Sequence, residues 1–549
     1  MKRNFEEMKG DVYLKEILRE VPRLISQLNR NPISEDYGCF DRNYWHYNII
    51  DFPCARMQEA VLTLALLYEI KHKDNPYYNK KIILEWINSA LEYWLKIQNR
   101  NGSFNEWYPN ENSFVATAFS SYAISETLLQ LKDLINSRDD IISGLIKAGR
   151  FISRKKESRV VNQETGAAIA LYNIYLLTDD EFFKEKSFEK IEFIINEQTE
   201  EGWFNEYGGA DMGYLSLAID YLAKIYKKTN EERILNSLKK ALGFIKYFIH
   251  PDGSCGGIYG SRNTEYLIPD GFEILSEKIK DAALISNEIR NSLERNSMIG
   301  LSKLDDRYLM YNGYTFLQAY LNSKEVKATE KLPYKNEFIK NFPKAGLLVI
   351  SDPLIYMVVN YRKGGVYKLS FKKINRSISD AGLLIHTKKG TKLTSSWLSD
   401  ADNIEFIDNK IKIKGTLWKV TDKTLSPIEN ILLRAFQLGF GRSQFISQNL
   451  KEKLRDILIT KTTDTRYKFT REISIGKKYV KISDVIDKIC GKAYINCKTS
   501  LIYTPSSRYF LLEELNSSQE CIRLRGEKRT KVERVLDKKS GNQVKTNLS

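Results

Sequence analysis

Gln98-Asn-Arg-Asn-Gly102-Ser-Phe104-Asn105-Glu106-Trp107 returns one hundred residues later as Gln198-Thr-Glu-Glu-Gly202-Trp-Phe204-Asn205-Glu206-Tyr207. A degenerate third copy, Pro251-Asp252-Gly253-Ser254-Cys255-Gly256-Gly257, follows roughly fifty residues on. A unit of ~50 residues holds two helices and two loops, the size of a helical hairpin repeat. Five or six such hairpins fit before about residue 325, which predicts an incomplete or complete α/α toroid over residues 1–330.

The hydrophobic rhythm agrees. Within 82–98, Ile83, Trp86, Ile87, Ala90, Leu91, Trp94 and Leu95 mark one buried helix face. Similar stretches near 11–29, 55–71, 113–134, 140–154, 163–177, 181–197, 211–227, 230–249, 270–296 and 305–322 predict eleven or twelve helices and no strand. Loops at one place in a repeat emerge at one end of a toroid. The segments around 36–51, 102–113, 202–214 and 253–273 are therefore expected on one rim.

From about residue 340 the period drops to two. Lys410-Ile411-Lys412-Ile413-Lys414 alternates strictly, and so do Ile473, Ile475, Val480 and Ile482 around the break at Gly476-Lys477-Lys478. Leu347–Ile350, Ile355–Tyr361 and Val366–Phe371 read as further strands. An antiparallel β-sandwich is predicted over 340–520, with a helical insertion near 426–454. Residues 521–549 are basic and weakly patterned, and predict a loose tail.

The chain has 549 residues, 85 Lys+Arg against 69 Asp+Glu, and a formal charge of +16. The charge is uneven: residues 1–330 carry net −6 and residues 331–549 carry net +22. A basic module suits an anionic glycan, a nucleic acid or an anionic membrane face. With 28% charged and 42% hydrophobic residues, the chain is globular and not disordered. Six irregularly spaced cysteines without C-x-x-C exclude a disulfide or zinc framework and predict a cytoplasmic protein. No apolar run approaches the ~20 residues of a membrane span, and no apolar segment follows Met1-Lys2-Arg3. There is no phosphate-binding P-loop, no G-x-G-x-x-G and no H-x-x-x-H spacing. No cofactor is predicted; a divalent metal held by carboxylates and carbonyls stays open.

The chemistry-bearing residues concentrate in the predicted loops. The first crowds Asp41, Arg42, Tyr44, Trp45, His46 and Asp51 into a short stretch, a mixture of rings and polar groups that suits a carbohydrate cleft. A core role for the rings competes with that, although the charges would be awkward in a core. The second holds Asn105, Glu106, Trp107, Tyr108 and Glu111, with Glu111 weighted towards a helix-start carboxylate. The third and fourth hold Glu206, Tyr207, Asp211 and Tyr214, then Tyr259, Arg262, Asn263 and Glu265. Gln163-Glu164-Thr165 looks like a helix start. His250 ends a helix, and His386 lies in a β segment with a structural role unless that module caps the rim.

An acidic α/α toroid followed by an antiparallel β module resembles the polysaccharide lyases of the heparinase II/III and related chondroitin and alginate type. Asp380-Ala-Gly-Leu-Leu-Ile-His386 is similar to the start of the heparinase-type β module, while the His-Ala-His-x-Asp motif of that family is absent. The resemblance implies cleavage of a uronic acid polymer by β-elimination. Such a reaction needs the uronate carboxylate neutralised, a task for Asn105, Arg262 or Asn263. It needs a base, such as His46 or a tyrosinate, and a phenol, such as Tyr259 or Tyr207, to protonate the leaving oxygen. Asp41, Arg42, Tyr44, Trp45, Asp51, Trp107, Tyr108, Tyr214, Asn263 and Glu265 are the expected substrate-binding set.

Two other functions fit the same pattern. A glycoside hydrolase would pair carboxylates from Glu106, Glu206 and Asp211, about 5–5.5 Å apart if retaining or about 6.5–9.5 Å apart if inverting. A non-catalytic glycan-binding or assembly protein would bind without turnover. The expected partner throughout is an acidic polysaccharide or oligosaccharide. Specific nucleic-acid binding is not expected, and a peripheral contact with an anionic membrane stays open.

Overall fold

The computed structural model describes residues 10–327, 330–400, 403–407, 409–420, 425–442, 465–500, 506–507, 509–510, 515 and 519–549. Its first part is helical: α1 (Asp11–Gln27), the single turn α2 (Arg42–Trp45), α3 (Ala60–Glu69), α4 (Lys81–Lys96), α5 (Phe114–Leu131), α6 (Arg138–Ser153), α7 (Val161–Thr178), α8 (Glu181–Asn196), α9 (Met212–Thr229), α10 (Glu232–Ile245), α11 (Asp270–Leu275), α12 (Lys280–Glu294) and α13 (Asp306–Asn322). The stretch expected as one helix over 270–296 is two, α11 and α12.

Helices α3, α5, α7, α9, α11 and α13 touch in that order, and α13 returns to α3. The ring of six is closed, so the toroid is complete. Helices α1, α4, α6, α8, α10 and α12 back it. Sequence decides which helix goes where. The inner α5 is rich in Ala, Ser and Thr and buried on nearly every side. Its hydroxyls turn back onto their own helix, as Thr117 and Ser120 do on the carbonyls of Ser113 and Ala116, both at 2.6 Å. The outer α1 and α10 each bury one stripe only.

The repeated Gln and Gly have a structural task. Gln98 Nε2 donates to the carbonyls of Gly102 (3.1 Å) and Gly144 (2.8 Å), and Gln198 Nε2 to those of Gly202 (2.9 Å) and Ser237 (3.0 Å). Each glutamine staples its loop to the next outer helix. Gly102 and Gly202 have φ of 85° and 103°, and a Cβ there would meet the carbonyl oxygens of Lys147 and Lys240 at 2.3 and 2.2 Å. Only glycine satisfies both conditions.

The β module has three antiparallel sheets. The first is a meander of β1 (Phe338–Phe342), β2 (Leu347–Ser351), β3 (Ile355–Asn360), β4 (Val366–Phe371) and β5 (Arg376–Asp380). The other strands are β6 (Leu384–Thr387), β7 (Lys392–Thr394), β8 (Asn403–Ile407), β9 (Lys410–Thr416), β10 (Trp418–Val420), β11 (Lys468–Ile475), β12 (Tyr479–Ile486), β13 (Cys490–Ile495), β14 (Glu520–Arg525), β15 (Thr530–Asp537) and β16 (Gln543–Leu548). They form a five-stranded sheet ordered β10-β7-β6-β13-β14 and a six-stranded sheet ordered β16-β15-β12-β11-β9-β8. The first sheet is a middle layer. Leu347, Val349, Tyr356 and Val358 join the toroid core, while Leu348, Ile350, Met357 and Val359 join the β core. Burial on both faces explains why these strands are continuous apolar runs while Lys410–Lys414 alternates.

Two arginines sit in the β core at no more than 1% exposure. Arg471 donates to Asp484 (2.7 Å) and Asp380 (3.3 Å), and Arg534 donates to both carboxylates. Two cations and two anions cancel there.

The expected loose tail at 521–549 is corrected. Those residues lie in β14, β15 and β16, where Val532 and Leu536 alternate into the core and Arg534 ties the last hairpin to Asp380 and Asp484. Lys528, Lys531 and Lys539, which make the stretch look like a tail, are exposed, while Lys538 is buried against Asp352. The expected insertion begins with helix α14 (Pro427–Leu438), opened by a capping box between Ser426 and Glu429. Its remainder, 443–454, lies outside the described residues. Among the described residues no helix is long and apolar enough to cross a membrane.

Candidate active site

The toroid encloses a cavity of about 1300 Å³. Its wall is built from the turn before α3 (Arg56, Glu59), the second loop (Glu106, Trp107, Tyr108) and the start of α7 (Asn162, Gln163). Tyr207, Tyr214, Arg262 and Tyr266 follow from the third and fourth loops, and Tyr308, Tyr311 and Tyr314 from α13. Helix α14 of the β module lies across the mouth with Ile431, Leu432 and Arg434. It is tied there by Asn110 Nδ2 on the Gln437 carbonyl (3.1 Å) and by Arg434 beside Asp51 (3.3 Å).

One wall joins a guanidinium to two phenols. Asp211 caps α9 by accepting from the Tyr214 amide (3.3 Å), and its other oxygen accepts from the Arg262 amide (2.9 Å). One carboxylate thus places both residues. The Arg262 guanidinium lies over the Tyr207 ring at 4.1 Å and acts electrostatically on the Tyr214 phenol. Burial pushes the Tyr214 phenol up while Arg262 pulls it down. Ser506 Oγ donates to the same phenol at 2.9 Å. From the β module, Lys363 Nζ donates to the Ile258 (2.9 Å) and Gly260 (2.6 Å) carbonyls and to Asn263 Oδ1 (2.6 Å), latching the loop that carries Arg262.

The opposite wall is a charged cluster. Arg56 bonds Glu59 at 2.6 Å and lies 4.0 Å from Glu106, and Arg307 reaches Glu106 at 3.6 Å. The Arg56 guanidinium covers the Tyr311 ring at 3.7 Å, and Arg307 covers Trp107 at 3.9 Å. Burial pushes the Glu59 carboxyl up to about 7 against the pull of Arg56.

Of the residues expected from sequence, Glu106, Trp107, Tyr108, Tyr207, Tyr214 and Arg262 line the cavity. The second, third and fourth loops do share a rim; the first lines no part of the cavity and meets it only through Asp51 beside Arg434. His46, the expected base, is exposed between Trp45 and Tyr47 and lines no part of the cavity. Trp45 donates to the Gln27 carbonyl, Asp41 accepts from the Cys54 amide, and Arg42 stacks on Tyr47. Tyr44 is half-buried, so this loop braces the toroid entrance. Tyr259, the expected acid, is fully buried and bonded to His250 Nε2 at 3.0 Å. His250 is not an exposed helix-end cation: burial and Lys368 press its pKa down to about 3.

Asn105 holds its own loop through Asn99 and the Asn112 amide. Asn263 is occupied by Lys363, and Glu265 lies outside the cavity lining. Glu206 accepts from the Asn162 amide (3.0 Å) and side chain (2.7 Å), so it orients α7. Glu111 likewise accepts from the Glu106 and Trp107 amides. Glu206 and Asp211 are therefore positioning groups, and the carboxylate pairs expected of a hydrolase are not presented to the cavity.

Arg56, Glu59, Gln163 and the α13 tyrosines are additional. Tyr308, Tyr311 and Tyr314 recur every three residues, a stripe visible in the sequence. Gln163, expected as part of a plain helix start, faces the cavity. Among the described residues no group of three or more His, Cys, Asp or Glu could hold a metal ion.

Residues 48–267 match the family of the ulvan lyase N-terminal domain. The match takes in Arg56, Glu106, Gln163, Tyr207, Tyr214 and Arg262, and ends before α13 and the β module. No curated protein matches the chain by sequence. Among solved structures, the chondroitin AC lyase of Streptomyces coelicolor A3 in complex with chondroitin sulphate is similar over 90% of this chain and 69% of its own, with 9% identity and a TM-score of 0.54. Heparinase III aligns over 90% of this chain and 72% of its own, at 10% identity and a TM-score of 0.40. An unsaturated glucuronyl hydrolase from Streptococcus agalactiae aligns over 58% and 93%, at 10% identity and a TM-score of 0.38. The likeness to chondroitin AC lyase shows the fold, a helical toroid followed by antiparallel sheets. With the ulvan lyase match, it supports an enzyme, a polysaccharide lyase.

Proposed function

We propose that the toroid cavity cleaves a uronic-acid-containing glycan by β-elimination. The observation that carries this is Arg262 set between Tyr207 and Tyr214 on the cavity wall. Elimination removes the proton at C5 and expels the glycosidic oxygen at C4, leaving a C4–C5 double bond. Tyr214 suits the proton transfer, because the adjacent guanidinium lowers the cost of its phenolate and the phenol can then protonate the leaving oxygen. Tyr207 offers a second phenol. Gln163 offers an amide to the substrate carboxylate, and the exposed Trp107 ring a face for a sugar. A cytoplasmic setting belongs to the same proposal, on the cysteine pattern of the sequence; recovery of the native protein outside the cell would overturn it.

The test is a panel of uronic-acid polysaccharides and oligosaccharides, reading ultraviolet absorbance of an unsaturated uronate together with reducing ends. Both rise for a lyase. Reducing ends rising alone would mean hydrolysis. Binding without either would mean a glycan-binding protein.

A further inference from the structure

Two outer sheet faces of the β module carry lysines, and they differ in how the charge is answered. On the six-stranded sheet, Glu405, Glu472 and Glu533 stand in one cross-strand row beside the lysines of β9, β12 and β15. Lys412 lies 3.8 Å from Glu405, Lys410 lies 3.6 Å from Glu472, and Lys481 and Lys531 lie 3.1 and 2.7 Å from Glu533. That face answers its own charge.

Among the described residues, β6, β13 and β14 of the five-stranded sheet do not. Its register sets His386 opposite Lys492, and Lys492 opposite Arg523. The next row pairs Cys490 with Arg525. His386, Lys492, Arg523 and Arg525 are exposed, and the described strand residues of this face include no Asp or Glu. Strands lie about 4.8 Å apart, so the row spans about 10 Å. Like charges directly opposite one another destabilise a sheet, and an anionic chain laid across the row removes that cost.

The same face runs on towards the toroid. One step along the same face, Leu384 pairs with Tyr494, and both pack on the core cluster that fills the toroid. That cluster includes Tyr509, whose ring lies 5.9 Å from Tyr266 and 6.1 Å from Tyr308 on the cavity wall.

We propose that His386, Lys492 and Arg523, with Arg525 in the next row, form a second binding site for an acidic glycan, a track that holds polymer outside the cavity. The substrate class rests on the proposed lyase function. The site itself does not require turnover.

Equilibrium binding tests it, with alginate (carboxylates alone) and chondroitin sulphate (carboxylates and sulphates) as probes, in the full chain carrying Tyr214→Phe to keep the probes intact. Adding Lys492→Glu with Arg523→Glu is expected to weaken both probes about tenfold at low salt and less at high salt. Loss confined to chondroitin sulphate would assign the track to sulphate, and loss of both to carboxylate. Lys410→Glu with Lys481→Glu on the self-neutralised face should change affinity less than about twofold. Lys492→Gln with Arg523→Gln, checked for an unchanged melting temperature, guards against misfolding. Equal losses from the two faces, or none from the β13–β14 pair, would overturn the proposal. So would single-stranded DNA or phosphatidylserine vesicles binding as tightly as the glycans. Track binding without unsaturated uronate from the unaltered chain would sink the lyase proposal alone. Turnover of short oligosaccharides with no effect of charge reversal would sink the track alone.

Discussion

Arg471 and Arg534 in the β core and Arg262 on the cavity wall are all buried arginines, yet their surroundings differ in kind. The first two meet Asp380 and Asp484, so that charge cancels inside a sealed core. Arg262 meets phenols, one of them under its guanidinium, and opens on the cavity. A sealed lattice stores its energy in the fold. A cation beside an ionisable phenol and a cavity can change the protonation state of its neighbour during a reaction. Burial alone does not separate structure from function; the partner and the open side do.

The largest effect should fall on the sealed lattice. Asp484→Asn leaves Arg471 and Arg534 with one compensating carboxylate and should cost about 3–5 kcal/mol of stability. Urea unfolding would read it, and an unchanged midpoint would mean that the lattice is not holding the sheets. Next comes Tyr214→Phe, which keeps the ring and removes the proton. The rate on the best substrate should drop by about 10²–10⁴ with an unchanged melting temperature. Near-normal turnover would move the chemistry to Tyr207, and the same exchange there would then carry the loss.

The two kinds of site were unequally legible in the sequence. The repeat at Gln98 and Gln198 and the change from helical to alternating period are local patterns, and the toroid and the sheets follow from them. Tyr207, Tyr214 and Arg262 were visible because charges and rings crowd a glycine-rich loop. The same crowding around His46 marked a loop that braces the toroid, because no local pattern tells which way a loop faces. Tyr308, Tyr311 and Tyr314 read as an ordinary helix face. Only the return of α13 to α3, a contact between residues some 250 apart, turns that stripe into a cavity wall. The tail was misjudged because its outward lysines hide the inward Val532, Arg534 and Leu536.

A smaller effect separates elimination from hydrolysis within the cavity. Glu106 lies on the wall between Arg56 and Arg307, while Glu206 is spent on Asn162. If the phenols do the chemistry, Glu106→Gln should lower the rate no more than about tenfold, mostly through substrate affinity. A paired-carboxylate hydrolase would lose far more, about 10²–10⁴. The split between kcat and KM decides.

A third buried cluster lies at the seam between the toroid and the first sheet. His250 bonds Tyr259, and Lys368 on β4 donates to Ser254 beside Asp252. Like the arginine lattice it is sealed, so His250 should stay neutral. Burial first and Lys368 second press its pKa from 6.5 to about 3. Between those values the unfolded chain binds a proton that the folded chain refuses, so stability falls as the pH drops from about 6.5 towards 3. The contribution is at most about 1.4 kcal/mol per pH unit. Between pH 4 and 6.5 it should be separable from Asp252, which Lys368 and the hydrogen bonds from Ser254 and Ser377 hold below the ordinary carboxylate range. His250→Asn should flatten the fall in melting temperature across that window and leave turnover at neutral pH unchanged. Parallel pH profiles would show that His250 takes up its proton inside the folded chain, and the seam would then belong with the open cavity and not with the sealed lattice.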